Sequence, residues 1–384
     1  MGILGKADNL GDKRLESLDV LRGFDLFCLV GLEHFFHSLN GAIDSSWYKS
    51  FLWGFSHVDW RGFSSWDLVM PLFMFMAGVS IPFALSRYKD SASEKKRVHL
   101  RILKRFILLW ILGMMCQGNL LALDPDRIYF YSNTLQSIAV GYLVSALLFL
   151  HTKVSAQIGV ALSFLFLYWG LMQFVSVDGY GGGDYTPDGN LAEWVDRTVL
   201  GRFRDAAVVS DGAVVFAEWY RYTWILSSLN FCVTVLTGVF AGHLLKSNID
   251  QKRKWQLLLY IGAVMVAAGW IWNIYHPVIK KLWTSSMVLV SSGYCFLLMG
   301  LFYYWIDYKG RRKGLIWLKI YGMNSIVAYM LAIVIDFSSI STSLFFGLEQ
   351  YIEGFYPALI AASNAAIIFL ILYVLYKCRI FLKV

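Results

Sequence analysis

Charge is scarce in this sequence. Asp, Glu, Lys and Arg make up 16% of its 384 residues, against about a quarter in soluble domains. A disordered chain or a nucleic-acid-binding tail protein is excluded on that ground, and no nucleic-acid partner is expected. Cysteine is sparse as well. Cys28, Cys116, Cys232, Cys295 and Cys378 are scattered, mostly in apolar runs, and none forms a C-x-x-C pair. The spacing therefore encodes neither a disulfide framework nor a zinc site, and no metal is expected. Cys378 lies near a membrane edge, where lipidation is one reading and plain packing the other. Apolar surface is abundant: 58% of residues are hydrophobic, with 15 Trp, 22 Tyr and 28 Phe. The mean hydropathy of +0.55 is spread along the whole length. An ordinary soluble enzyme does not fit this pattern, and an all-α, polytopic transmembrane helical bundle does.

A membrane-spanning helix needs about 20 mainly apolar residues. Ten such stretches are predicted, at 17–38, 66–87, 100–121, 134–151, 155–175, 223–245, 256–275, 284–306, 316–336 and 356–378. They are expected to form one domain over 1–384, with a loop insertion at about 176–222. The opening residues carry no signal-peptide pattern, so the first helix is expected to stay as an anchor.

Lys and Arg fall on alternate connections. One set holds Lys6, Lys13, Arg14, Lys89, Lys95, Lys96, Arg97, Lys246, Lys252, Arg253 and Lys254, then Lys309, Arg311, Arg312, Lys313, Lys377, Arg379 and Lys383. The opposite short connections hold Lys49, Arg61, Arg127, Lys280 and Lys281. By the positive-inside rule both termini are expected to be cytoplasmic and the loop 176–222 outside. That loop opens with a glycine-rich stretch, 179–190, expected to hold no regular element. A short amphipathic helix is predicted around 190–205. Tyr180, Tyr185, Trp194, Trp219, Tyr220 and Tyr222 make the loop aromatic, which suits either sugar stacking or a membrane interface.

Ionisable residues inside spans are costly unless paired or solvated, so they are candidates for function. Asp19 and Arg22 stand three apart on one face of the first helix. They read either as a buried ion pair or as an arginine facing an inner cavity and an anion. His57 lies where the first outer loop enters the second span, near Asp59 and Asp67. A histidine there can move a proton or take an acyl group, with a carboxylate to orient it. The bland alternative is an idle loop histidine. Glu33 beside His34 is a second acid–base pair, and His34, His37 and His57 would be the nearest approach to a metal cluster. Gln136 opens the fourth span, Asn324 follows Gly322 in the ninth, and Lys281 precedes the eighth. Helix packing and interfacial anchoring explain such residues equally well.

Taken together these stretches resemble a known family. Arg14-Leu-Glu-Ser-Leu-Asp-Val-Leu-Arg-Gly-Phe resembles the opening of the heparan-α-glucosaminide N-acetyltransferase family and its bacterial relatives. His57, Trp60, Gly62, Asp67-Leu-Val, Pro71-Leu-Phe-Met-Phe and Gly78-Val-Ser-Ile resemble its next motif. Thr134-Leu-Gln-Ser-Ile-Ala, Lys281-Leu-Trp-Thr-Ser-Ser and Gly322-Met-Asn-Ser-Ile follow in the family's order. The resemblance implies acetyl transfer from cytosolic acetyl-CoA to an amino sugar or other glycan across the membrane. It implies that His57 is catalytic, as acetylated intermediate or general base. It also implies a bacterial inner-membrane location with His57 on the extracytoplasmic side, and a homodimer as one assembly. The chain departs from the family at Glu33, where the animal enzyme has Asn, and at Ser137, where Arg is common. The luminal domain that precedes the first shared helix in the animal enzyme is expected to have no counterpart here. These departures bear on acceptor identity rather than on reaction type.

On this reading His57 carries the chemistry, and Asp67 or Glu33 sets its tautomer and charge. Arg22, Arg101 and Arg105 are candidates for the acetyl-CoA phosphates, with Lys104, Arg311 and Arg312 beside them. Gln136 and Asn324 are candidates for the thioester oxygen, and Lys281 for the donor as well. The positive-inside rule accounts for the cytoplasmic cations without any ligand. The competing function is a transporter or flippase of an envelope sugar or lipid; the absence of an inverted repeat argues against it.

Overall fold

The computed structural model describes residues 15–89, 94–210, 212–217 and 221–382. Arg14 of the opening motif, Trp219 and Tyr220 of the aromatic loop, and Lys6, Lys13 and Lys383 of the charge pattern lie outside these residues. The architecture is mostly helical, as the long apolar runs require. Helices lie at each of the ten expected positions. Seven of the helical stretches among the described residues are long and apolar enough to cross a membrane, or eight if one bent pair counts as a single span. The helical run from Glu16 to Ser38 and the helix Lys95–Cys116 are as long, but charged residues such as Asp19, Arg22 and Asp25, and Arg101, Lys104 and Arg105, interrupt them. The bent pair is Ile316–Met323 and Ser325–Val334, broken by 77° at Asn324.

The chain divides into two compact units. The first comprises 1–57, 64–69 and 298–384. Its first helix, Glu16–Phe27, continues through a π-helical turn, Cys28–Leu32, into Glu33–Ser38. It packs against Ile316–Met323 through glycines: a methyl group on Gly23 would run into the Leu318 carbonyl, and one on Gly322 into the Asp19 carbonyl. Small residues at such a crossing let two backbones meet, as in other membrane helix pairs. Val20, Ile306 and Leu318 are buried beside it, with Phe24, Phe27 and Phe302 packed around them. At the helix N-terminus the Asp307 carboxylate accepts from the Ser17 backbone N–H at 3.1 Å. Glu16 pairs with Arg312 at 2.6 Å and Lys319 at 3.1 Å. The last helix is Tyr356–Lys377.

The second unit comprises 58–63 and 70–297. Here too a glycine pair sets the crossing: Gly78 of Val69–Leu85 and Gly238 of Ser228–Lys246 lie Cα against Cβ position, with no room for a side chain. The extramembrane insertion folds around buried charge. Asn190 caps Leu191–Leu200 through the Glu193 N–H. Glu193 pairs with Arg197 at 2.7 Å and with fully buried Arg204 at 2.5 Å. Asp196 accepts from the backbone N–H groups of Trp224 and Ile225 at 2.7 and 2.9 Å, and so holds the approach to Ser228–Lys246. The predicted helix is present. The glycine-rich stretch differs from expectation: Ser176–Val177 and Tyr180–Gly181 form a small antiparallel hairpin. Its turn residues Asp178 and Gly179 both have positive φ, the backbone a tight hairpin demands. A second hairpin, Ala207–Ser210 with Ala213–Phe216, was not expected.

Candidate functional site

His57 closes the loop after helix Ser46–Trp53, and Asp67 lies in the short turn Trp66–Leu68 that starts the next long helix. Both belong to the first unit. His57 Nδ1 and Asp67 Oδ1 are 2.9 Å apart. Asp67 is buried, whereas the His57 side chain is 41% exposed. The other carboxylate oxygen, Oδ2, accepts from the Ser64 N–H at 3.0 Å and faces its hydroxyl at 3.1 Å. That hydroxyl also donates to the Ser56 carbonyl at 2.6 Å, next to His57. Ser64 and Asp67 stand three apart at a helix start, the spacing of a capping box, in which the acid reaches back to the capping residue's N–H. The carboxylate is thus fixed by its own helix terminus before it meets the imidazole. With Nδ1–H donating to Asp67, the neutral ring carries its lone pair on Nε2.

The surroundings are aromatic. Phe55 packs on Phe36 at 4.7 Å and on Trp66 at 5.6 Å between ring centroids. His37 Nε2 lies 3.0 Å from the Phe55 carbonyl and 3.3 Å from the Ser56 hydroxyl, so it ties the end of the first helical run to the His57 loop. Glu33 is half-buried on that run, and among the described residues it makes no hydrogen bond to His57. His34 is exposed. Among the described residues no group of three or more His, Cys, Asp or Glu is arranged to hold a metal.

The remaining candidates belong to both units. In the first unit Arg22 is 3.9 Å from Asp19. Asn324 is buried at the helix break. Its Nδ2 donates to the Ile380 carbonyl at 3.0 Å and its Oδ1 accepts from the Leu382 N–H at 3.0 Å. In the second unit Gln136 is fully buried. Its Oε1 accepts from the Ser132 and Asn133 N–H groups at 2.8 and 3.0 Å, and its Nε2 donates to the Phe130 carbonyl at 2.6 Å. Both amides therefore satisfy backbone ends, and turning either to a thioester would break those bonds. Arg101 donates to the Tyr88 hydroxyl at 3.0 Å, and the Arg105 guanidinium lies 4.0 Å from the Tyr142 ring centroid. Lys281 is half-buried, and its carbonyl accepts from the Thr223 N–H at 3.1 Å.

Two features escaped the sequence reading. Ser64 was visible only as part of a Ser-x-x-Asp spacing. His276 had no such signal. Its Nε2 accepts from the Ser285 N–H at 2.9 Å, its Nδ1 donates to the Tyr185 hydroxyl at 2.8 Å, and that hydroxyl reaches Gln173 Oε1 at 3.3 Å. Burial pulls the His276 ring down to about 3 and pushes the Tyr185 phenol up. The motif residue Trp60 donates to the Tyr185 carbonyl at 2.8 Å, and the Gly62 N–H to the Val278 carbonyl at 2.9 Å.

These helices make the chain an integral membrane protein, with a carboxylate-held histidine at a helix entrance. The family described as a domain of unknown function, DUF5009, matches residues 14–179. Human heparan-α-glucosaminide N-acetyltransferase is 27% identical over 361 residues, covering 83% of this chain and 52% of its own. The mouse protein of the same name is 25% identical over 415 residues, covering 97% and 60%. The chain thus spans a little over half the length of these relatives, and it is related to the heparan-α-glucosaminide N-acetyltransferases.

Proposed function

We propose that the protein is a transmembrane acetyltransferase. It moves an acetyl group from cytosolic acetyl-CoA to an amino sugar or other glycan acceptor on the extracytoplasmic side, through His57. The observation that carries this reading is the His57–Asp67 pair: an accessible imidazole held at Nδ1 by a buried, doubly anchored carboxylate. The names of the two relatives supply the transferred group and the class of acceptor.

Two routes use the same atoms. In one, Nε2 takes a proton from the acceptor amine as its nitrogen attacks the thioester carbonyl. The C–S bond breaks, and the coenzyme thiolate recovers the proton. In the other, Nε2 attacks the carbonyl and the thiolate leaves. The acetyl-imidazolium, its Nδ1–H held by Asp67, then passes the acetyl group to the amine, whose proton is released. In both routes Asp67 positions the ring and stabilises its positive charge. Arg22, Arg101 and Arg105 are the cations proposed for the donor phosphates, and Lys281, on a connection expected outside, is proposed only for the part of the donor that reaches that side. Tyr88 and Tyr142 orient the Arg101 and Arg105 guanidinium groups.

The test is incubation of the purified protein with radiolabelled acetyl-CoA and glucosamine, with and without His57→Ala. Transfer by the wild type and loss of it in a folded variant is the expected result. Label retained on the wild-type chain alone identifies the acetyl-enzyme route. Full transfer by the variant removes His57 from the chemistry, and no donor binding by the wild type overturns the acetyltransferase reading in favour of transport.

A further inference from the structure

The first unit contains an apolar groove of about 530 Å³, within the range of small-molecule sites. Phe27, Gly31, Phe35, Trp317, Ala366 and Phe369 contribute to its walls, which carry no charged side chain. The one hydroxyl among the lining residues, on Tyr321, faces the Ala365 carbonyl at 3.4 Å. The π-helical turn Cys28–Leu32 forms part of the floor, a distortion that often accompanies function. Small residues keep the groove open. Gly31 lies against the Ala365 methyl, and Ala362 and Ala366 leave one side exposed.

We infer that this groove holds the hydrocarbon chain of a lipid-linked amino-sugar acceptor; this rests on the acetyltransferase reading. Three observations point there. The walls on Ile316–Met323 and on Tyr356–Lys377 belong to segments apolar enough to cross a membrane, which sets the groove among hydrocarbon-facing helices. The lining suits hydrocarbon and not the pantetheine arm of the donor, whose amides need hydrogen-bond partners. One end of the groove, at Phe35, is also joined to the His57 loop by packed rings within one unit. Phe35 packs on Phe36 at 5.6 Å, Phe36 on Phe55 at 4.7 Å, and Phe55 on Trp66 at 5.6 Å, beside Asp67. Gly31 is six residues before His37, about 9 Å along a helix axis, and His37 bonds to the carbonyl of Phe55. A chain in the groove would bring its headgroup to the histidine.

The experiment uses the whole protein in detergent with two acceptors, methyl glucosaminide and hexadecyl glucosaminide, and Ala366→Phe as the variant. Wild type should prefer the hexadecyl acceptor, and Ala366→Phe should lower that preference in kcat/KM about tenfold, the effect of excluding roughly two methylenes. Equal use of both acceptors by the wild type, or an unchanged preference in the variant, overturns the inference. A hexadecyl glucosaminide carrying a diazirine in its chain tests the groove without turnover. Crosslinks should map to Phe27–Phe35 or Ala362–Phe369 and be competed by unlabelled hexadecyl glucosaminide. Crosslinks elsewhere, or ones that excess glycolipid does not compete, mean ordinary bilayer contact and overturn it. Competed crosslinks in the groove without acetylation of either acceptor would sustain lipid-chain binding and reject the acetyltransferase reading instead.

Discussion

The chemistry of a histidine depends on which nitrogen carries its proton, and here a neighbouring carboxylate decides. Asp67→Asn keeps the size of the side chain. If its amide N–H points at His57, it favours the tautomer with the proton on Nε2 and removes the stabilising charge. Turnover should fall by about two to four orders of magnitude, with acetyl-CoA binding and thermal stability near wild type. Loss of less than about threefold in kcat would show that the pair is structural only. This pair was legible because its members lie ten residues apart in one motif and have the right chemistry. Gln136 and Asn324 are conspicuous for a reason that leaves two readings open. An amide in an apolar helix marks either a site or an unsatisfied backbone, and the sequence does not distinguish them. Gln136 satisfies two N–H groups before its helix, and Asn324 holds Ile380 and Leu382 at a break. The partners of Asn324 lie more than 50 residues away, so no local pattern announces them.

Helices were legible wherever apolar residues run for about 20 positions, because in lipid the backbone must satisfy its own hydrogen bonds. Departures from regular helix were not. The π-helical turn Cys28–Leu32 and the 77° break at Asn324 both touch segments distant in sequence, Ala365 beside Gly31 and Ile380 and Leu382 at Asn324. The same holds for the buried contact of Gln173, Tyr185, His276 and Ser285, which joins two helix ends to the insertion. Ser285 N–H and the Tyr185 hydroxyl use both ring nitrogens of His276 with a single proton. A second proton would leave the Ser285 N–H facing another donor. Burial lowers the folded ring to about 3, below the ordinary histidine value of about 6.5. The contribution is therefore complete above about pH 6.5. It is lost as pH falls towards 3, because there the unfolded chain binds a proton that the folded one does not. Stability should drop by up to about 1.4 kcal/mol per pH unit in that window. Thermal melts of detergent-solubilised protein between pH 7.5 and 5 measure it, and His276→Gln should flatten the slope. Equal slopes in the two proteins would assign the acid sensitivity to other groups.

At the scale of the whole chain, the proposed transfer across a membrane requires that donor and acceptor sides differ, and the charge pattern gives an expectation of which is which. Lys309, Arg311, Arg312 and Lys313 cluster in one connection, whereas the connection 338–355 contains no Lys or Arg. Such asymmetry orients helices because cationic segments resist translocation. The expected arrangement places Lys313 in the cytosol, with acetyl-CoA, and Asn40 outside. Asn40 lies in the exposed turn that follows the first helical run, and Lys313 is exposed as well, so both positions accept a reporter. In a Cys378→Ser background, Asn40→Cys should react with a membrane-impermeant maleimide on intact cells. Lys313→Cys should react only after the membrane is opened. Asn40 shares its outer connection with the loop that carries His57, so its labelling also reports the side of the histidine. The reverse pattern would put His57 in the cytosol beside acetyl-CoA. The enzyme would then have no need to carry an acetyl group across the bilayer, and a cytosolic acceptor would replace the extracytoplasmic one.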